Sequence, residues 1–272
     1  MTRAVLTEQI RLKKNYLCVG LDTDPQKLPA FLNQFPDPVF EFNKRIIDAT
    51  LDHCVAYKMN TAFYEVNGAT GWETLQKTAD YIPSSHFKIA DAKRGDIGNT
   101  SAMYARAFFE TLSFDAVTVA PYMGEDSIRP FLDYPGKWTI VLGLTSNEGS
   151  KDFELQKHAD GLLYETVLRK VSQWGTTENL MFVIGATQSS WFGRVRAITP
   201  DHFYLVPGIG AQGGSLKEIS EKALNKDCGL LVNASRSVLY AGSGEDFADK
   251  AGVVAAAYAG EMALYLSLMP KA

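Results

Sequence analysis

Residues 86–100 read HFKIADAKRGDIGNT. The first half leans apolar, and the second packs Asp91, Lys93, Arg94 and Asp96 into six positions. A short run without strict apolar–polar alternation suits a strand buried on both faces of a parallel sheet. Buried charges are costly unless paired, so these charges belong at the strand's exit. Beyond them TSAMYARAFFETL, residues 100–112, returns to helical spacing. The stretch spells strand, charged exit and helix, which is the repeating unit of an α/β fold.

Working outward, the same unit recurs. NYLCVGLD (15–22), HCVAYKMN (53–60), DAVTVAPY (115–122), WTIVLGLTS (138–146), LMFVIGAT (180–187), FYLVPGIG (203–210) and CGLLVNASR (228–236) are β-rich and end in small or polar residues. Between them VFEFNKRIIDATLD (39–52), LLYETVLRKVSQW (162–174) and SLKEISEKAL (215–224) carry helical spacing. With HFKIADAK these make eight strands alternating with helices, the count of a TIM (β/α)8 barrel. An open doubly wound sheet is the alternative, and the strand count favours closure. No composition break divides residues 1–272, so a single barrel domain is expected. Two connections are long, TDPQKLPAFLNQFPDP (23–38) and NEGSKDFELQKHADG (147–161), and loops of that length often serve as lids or binding loops. AGVVAAAYAGEMALYLSL (251–268) is interrupted by Glu261 and reads as a core-packed last helix.

A net charge of −4 offers no broad phosphate-neutralising surface and argues against nucleic-acid binding. No run of about 18 apolar residues predicts a membrane span, and the first residues lack a secretory apolar core. Cys18, Cys54 and Cys228 are odd in number and far apart, which suits reduced thiols in the cytoplasm. His53, His86, His158 and His202 show no metal-ligand spacing. No Cys/His cluster suggests zinc.

Three constellations stand at strand ends. Residues two apart on a strand share a face, so Asp91 and Lys93 point the same way, as do Lys58 and Asn60 in AYKMN. Asp22 ends the first strand. Neighbouring strands lie about 5 Å apart, close enough for Lys58, Asp91 and Lys93 to form one charge array that holds a lysine in its ammonium form. VPGIGAQGG (206–214) matches G-x-G-x-x-G. The dinucleotide reading also needs an acidic residue at the end of the next strand, which ends instead in NASR. In a barrel, Gly208 and Gly210 after the seventh strand, led in by Pro207, would offer backbone N–H groups to phosphate. Ser235 and Arg236 after the eighth would complete that site. Ser146 and Asn147 leave the fifth strand with a hydroxyl and an amide, suited either to the polar edge of a planar heterocycle or to a turn.

Together these features resemble the orotidine 5'-phosphate decarboxylase family. DAKRGDI is similar to its D-x-K-x-x-D-I signature, and GLD, YKMN, TSN, VPGIGAQGG and NASR follow in the family's order. VIGAT and DAKRGDIGNT resemble the longer bacterial subfamily called type 2, with one departure at Glu148, where that subfamily carries proline. The resemblance covers nearly the whole chain. It implies conversion of orotidine 5'-phosphate to UMP and carbon dioxide without metal or cofactor, the last step of de novo UMP biosynthesis. It implies that Lys93 protonates C6, with Lys58, Asp91 and Asp96 completing the charge network. It implies ribose contacts from Asp22 and Lys58, a pyrimidine contact from Ser146, and phosphate contacts from Gln212, Arg236 and the backbone near Gly210. It also implies a homodimer in which Asp96 and Thr100 reach the partner's site. Two other readings compete. Sugar-phosphate barrels reuse a D-x-K-x-x-D array with magnesium, and a non-catalytic phosphate-binding barrel would keep the glycine turn without needing the array.

Overall fold

The computed structural model describes residues 1–159, 161–210 and 213–269. Eight parallel strands form the barrel: β1 Leu17–Gly20, β2 Ala56–Asn60, β3 Phe87–Arg94, β4 Ala116–Val119, β5 Trp138–Leu144, β6 Leu180–Ile184, β7 Phe203–Pro207 and β8 Leu230–Ala234. Each pairs with its neighbours in the chain, and β1 pairs with β8 to close the ring. This is the expected TIM barrel, with a strand in each of the eight runs.

The strands are buried because helices cover their outer faces while side-chain layers fill the interior. The local sequence sets where those helices begin. Asp37 caps the helix Pro38–Thr50 by accepting from Phe40 N at 3.0 Å, and Pro38 supplies a ready-made first turn. That helix buries Phe42, Asn43, Ile46, Ile47 and Thr50, one face at helical spacing. Ser215 caps Leu216–Ala223 in the same way.

The N-terminal helix Arg3–Lys13 fastens to the end of the barrel where the strands begin. The buried Arg3 guanidinium donates to Thr177 O and Asp201 O at 2.7 Å and to Asp227 Oδ2 at 3.1 Å, and it lies over the Phe203 ring. The terminal ammonium pairs with Asp115 at 2.6 Å, and Trp138 Nε1 donates to Met1 O at 2.8 Å. The carboxyl ends of the strands are left to carry the chemistry.

Four segments differ in detail from the sequence reading. The 23–38 connection holds two short 3₁₀ turns, Pro25–Lys27 and Ala30–Gln34. The connection after β5 folds into a turn at Glu148–Lys151 and a small antiparallel pairing of Lys157–His158 with Gly161–Leu162. After β3 the helix Gly98–Arg106 begins earlier than its apolar spacing suggests and continues into a π-helical turn, Ala107–Thr111. The last helix, Phe247–Ser267, is not core-packed all round. It buries Phe247, Ala251, Ala255 and Met262 and exposes Val253 and Leu264. Its small residues let it approach the helix Pro38–Thr50 so closely that a Cβ on Gly252 would stand 2.8 Å from Ala49 O. Among the described residues no helix is long and apolar enough to cross a membrane. All three cysteines are free and buried.

Candidate active site

The carboxyl ends of the strands surround a cavity of about 680 Å³. Leu142, Val183 and Leu205 are its apolar lining residues from β5, β6 and β7, and the charged residues come from the other side of the barrel.

Lys58 on β2 is the hub. Its side chain is 3% exposed, and Nζ donates to Asp22 Oδ1 at 3.1 Å and to Asp91 Oδ2 at 3.0 Å. Asp91 Oδ1 accepts from Lys93 Nζ at 2.6 Å and from the Thr118 hydroxyl at 2.9 Å. Asp22 also accepts from Asn60 N at 3.0 Å and from Ser235 Oγ at 2.8 Å. The array therefore crosses five strand exits and alternates sign as Asp22, Lys58, Asp91, Lys93. Burial pushes the Lys58 pKa down, but Asp22 and Asp91 outweigh it and the net shift is upward. Burial raises Asp91, but Lys58 and then Lys93 pull it well below the usual carboxylate range. Both are charged at neutral pH. Lys93 is nearly half exposed at the cavity wall, so its ammonium is held by a carboxylate and still reachable.

The sequence places Asp91 and Lys93 on one face by simple alternation. The structure brings them together through an irregular strand end. Ala90 pairs with Val117 and Arg94 with Val119, so β3 bulges between them, and Lys93 takes φ 47° in the left-handed region.

Next to the array, at the exits of β7 and β8, Pro207, Gly208 and Ile209 line the cavity beside Ser235 and Arg236. Gly208 has φ 102° and Gly210 φ 69°, conformations that favour glycine. Gly210 stands outside the lining, close enough behind it that a Cβ there would lie 2.7 Å from Tyr258 Oη. Gln212 lies outside the described residues. The described residues give Arg236 no ion-pair partner, so its guanidinium is not committed to a carboxylate. Asn60, Ser146 and Asn147 line the cavity. Asp96 and Thr100 do not; the Asp96 carboxylate accepts from Ile97 N at 2.7 Å.

Three features escaped the sequence reading. Thr118 sits behind the charge array and reads as an ordinary β-branched strand residue. Thr145 lines the cavity, its N–H donating to Glu154 Oε2 at 2.7 Å across the loop after β5. The apolar lining residues carry no signal that separates them from barrel filling. For Thr118 the available signal was a hydroxyl inside an otherwise apolar run, AVTV.

A parallel barrel with a mutually compensated charge array beside a glycine turn, and an arginine with no ion-pair partner among the described residues, defines a class, a (β/α)8 enzyme built for a phosphorylated substrate. Residues 15–251 match the model of the Orotidine 5'-phosphate decarboxylase / HUMPS family. An orotidine 5'-phosphate decarboxylase of Phocaeicola vulgatus is 57% identical over 256 residues, covering 93% of this chain and 94% of that one. One from Bacteroides fragilis is 56% identical over 259 residues, covering 94% of each. The solved structure of Leishmania donovani OMP decarboxylase superposes with a TM-score of 0.83 at 36% identity, covering 97% of this chain and 99% of that one. The chain belongs to the orotidine 5'-phosphate decarboxylase family. Its activity is orotidine 5'-phosphate decarboxylation (EC 4.1.1.23), the last step of UMP biosynthesis.

Proposed function

We propose that this chain, a type 2 member whose residues 1–272 form one barrel domain, decarboxylates orotidine 5'-phosphate without metal or cofactor, using Lys93 as the proton donor to C6. The type 2 assignment rests on VIGAT and DAKRGDIGNT. The observation that carries the mechanism is the Lys93 ammonium, reachable from the cavity and held 2.6 Å from Asp91 Oδ1 with buried Lys58 behind.

Loss of carbon dioxide leaves an electron pair localised at C6. A fixed cation there gains interaction energy as that charge develops, and it costs little reorganisation because Asp91 already holds it in place. Lys93 then gives its proton to C6. Asp91 stands where the substrate carboxylate would approach and raises the energy of the bound ground state. Asp22 and Lys58, with Asn60 beside them, take the ribose hydroxyls, and Ser146 meets the pyrimidine edge. Arg236, Ser235 and the backbone N–H groups of Gly208 and Gly210 take the phosphate, with Pro207 walling the turn and Gln212 as a further contact. Phosphate binding energy far from C6 can be used to orient the reacting carbon. The enzyme acts as a cytoplasmic homodimer, with Asp96 and Thr100 supplied to the partner's site; three buried free thiols fit a reducing compartment.

The test is loss of orotidine 5'-phosphate absorbance in excess chelator, for the native protein and Lys93→Ala. Native turnover should persist with chelator, and Lys93→Ala should lose about 10³-fold or more with an unchanged circular dichroism spectrum. Activity abolished by the chelator would overturn the metal-free reading. Near-native turnover in Lys93→Ala would overturn the proton-donor role.

A further inference from the structure

We propose that Thr118 is a positioning residue for this reaction, holding the bulged end of β3 so that the Lys93 ammonium faces the substrate. The proposal rests on Lys93 as proton donor and adds the element that aims it.

The argument begins at the register of β3 against β4. Between the pairs Ala90 with Val117 and Arg94 with Val119, three residues of β3 face the single residue Thr118. A regular ladder cannot satisfy the backbone there, because the partner strand is two residues short. The Lys93 N–H finds a side chain instead and donates to Thr118 Oγ1 at 2.9 Å. The same hydroxyl donates to Asp91 Oδ1 at 2.9 Å, the oxygen that accepts from Lys93 Nζ at 2.6 Å. One hydroxyl thus ties the backbone end of Lys93 to the carboxylate that holds its ammonium end. The ring closes on a residue at φ 47°, a conformation that a side-chain-bearing residue keeps only when its surroundings enforce it.

Thr118 is fully buried and does not line the cavity, so it acts through Asp91 and Lys93 rather than on the substrate. A buried threonine in this barrel does not need such bonds merely to pack. Thr139, equally buried on β5, leaves its hydroxyl without a partner among the described residues. Removing the Thr118 hydroxyl would orphan the Lys93 N–H, strip a donor from Asp91 and release the left-handed turn. The position of Nζ would then spread, while the ribose and phosphate contacts at the exits of β1, β2, β7 and β8 would keep their places.

The experiment is steady-state decarboxylation of orotidine 5'-phosphate by Thr118→Val and Thr118→Ser beside Lys93→Ala. A misplaced reacting group costs about 10²-fold per ångström, so Thr118→Val should lose about tenfold to a hundredfold in kcat with KM within about twofold. Thr118→Ser keeps the hydroxyl and should hold kcat within about threefold. Native kcat in Thr118→Val would overturn the proposal, as would equal kcat losses in the Val and Ser variants, which mark a packing role. Should Thr118→Val fail to fold, Thr118→Ala against Thr118→Ser decides: a kcat loss confined to Ala supports the role, and equal values overturn it. Lys93→Ala separates the two levels. If it stays active, the proton-donor reading fails and takes this role with it; if it is inactive while Thr118→Val is native, only the positioning role fails.

Discussion

At the scale of residues, the site is governed by how charges are compensated rather than by how many there are. Lys58 is buried, and it tolerates burial because Asp22 and Asp91 both contact its ammonium. Each of these carboxylates takes further donors, from Ser235 and Asn60 on one side and from Thr118 and Lys93 on the other. Arg236 is the contrast, a cavity-lining guanidinium with no carboxylate partner among the described residues. An arginine left unpaired beside a glycine turn is ready to meet a doubly charged phosphate through its fork of donors. Arg236→Ala should therefore raise KM about tenfold to a hundredfold, corresponding to about 1.5–3 kcal/mol for a charged hydrogen-bonded contact. The melting temperature should stay within a degree or two, about the effect of an ordinary surface substitution. An unchanged KM for orotidine 5'-phosphate in this variant would remove Arg236 from the phosphate site.

At the scale of elements, the sequence was legible wherever one local pattern decided the outcome. Apolar runs with polar exits marked all eight strands, and helical spacing over 39–52 and 215–224 marked the helices Pro38–Thr50 and Leu216–Ala223. What could not be read depends on partners distant in the chain. The bulge at 91–93 exists because β4 is out of step with β3, and Arg3 looks like a surface charge until Thr177, Asp201 and Asp227 close around it. The start of β7 shows the same limit. His202 reads as a scattered histidine, yet it is buried, its ring lies 5.4 Å from that of Phe182, and neither ring nitrogen has a hydrogen-bond partner among the described residues. Burial first, then Arg3 and Arg196, lower its pKa to about 4. Between about pH 6.5 and that value the unfolded chain binds a proton that the folded chain refuses. The contribution is thus complete above about pH 6.5 and lost as pH falls toward 4, a change of about 3 kcal/mol. His202→Phe should flatten this part of the stability curve, measured by urea unfolding at pH 7 and pH 4.5. Parallel losses in native and variant proteins would show that His202 does not drive the acid sensitivity.

At the scale of the whole molecule, the distribution of exposed apolar residues bears on how the site is completed. Ile97, Met103, Tyr122 and Met123 are exposed on the two segments that leave β3 and β4, beside the catalytic wall. Asp96 opens the first of these segments and Thr100 lies in its first helical turn, yet neither lines the cavity of its own chain. A carboxylate in the signature D-x-K-x-x-D that does not reach its own lysines fits a second copy docked through this apolar face. A symmetric pair would place each Asp96 beside the other chain's Lys93, so that every site draws on both chains. Asp96→Ala and Lys93→Ala homodimers should then each be nearly inactive. In a mixed dimer one site collects both substitutions and the other collects neither. Statistical mixing of equal amounts makes about half of the dimers mixed, each with one native site, so activity should recover to about a quarter of the native value. Subunit exchange, verified by native mass spectrometry, followed by the decarboxylation assay, measures this directly. Mixed dimers with no recovered activity would mean that Asp96 serves the site of its own chain.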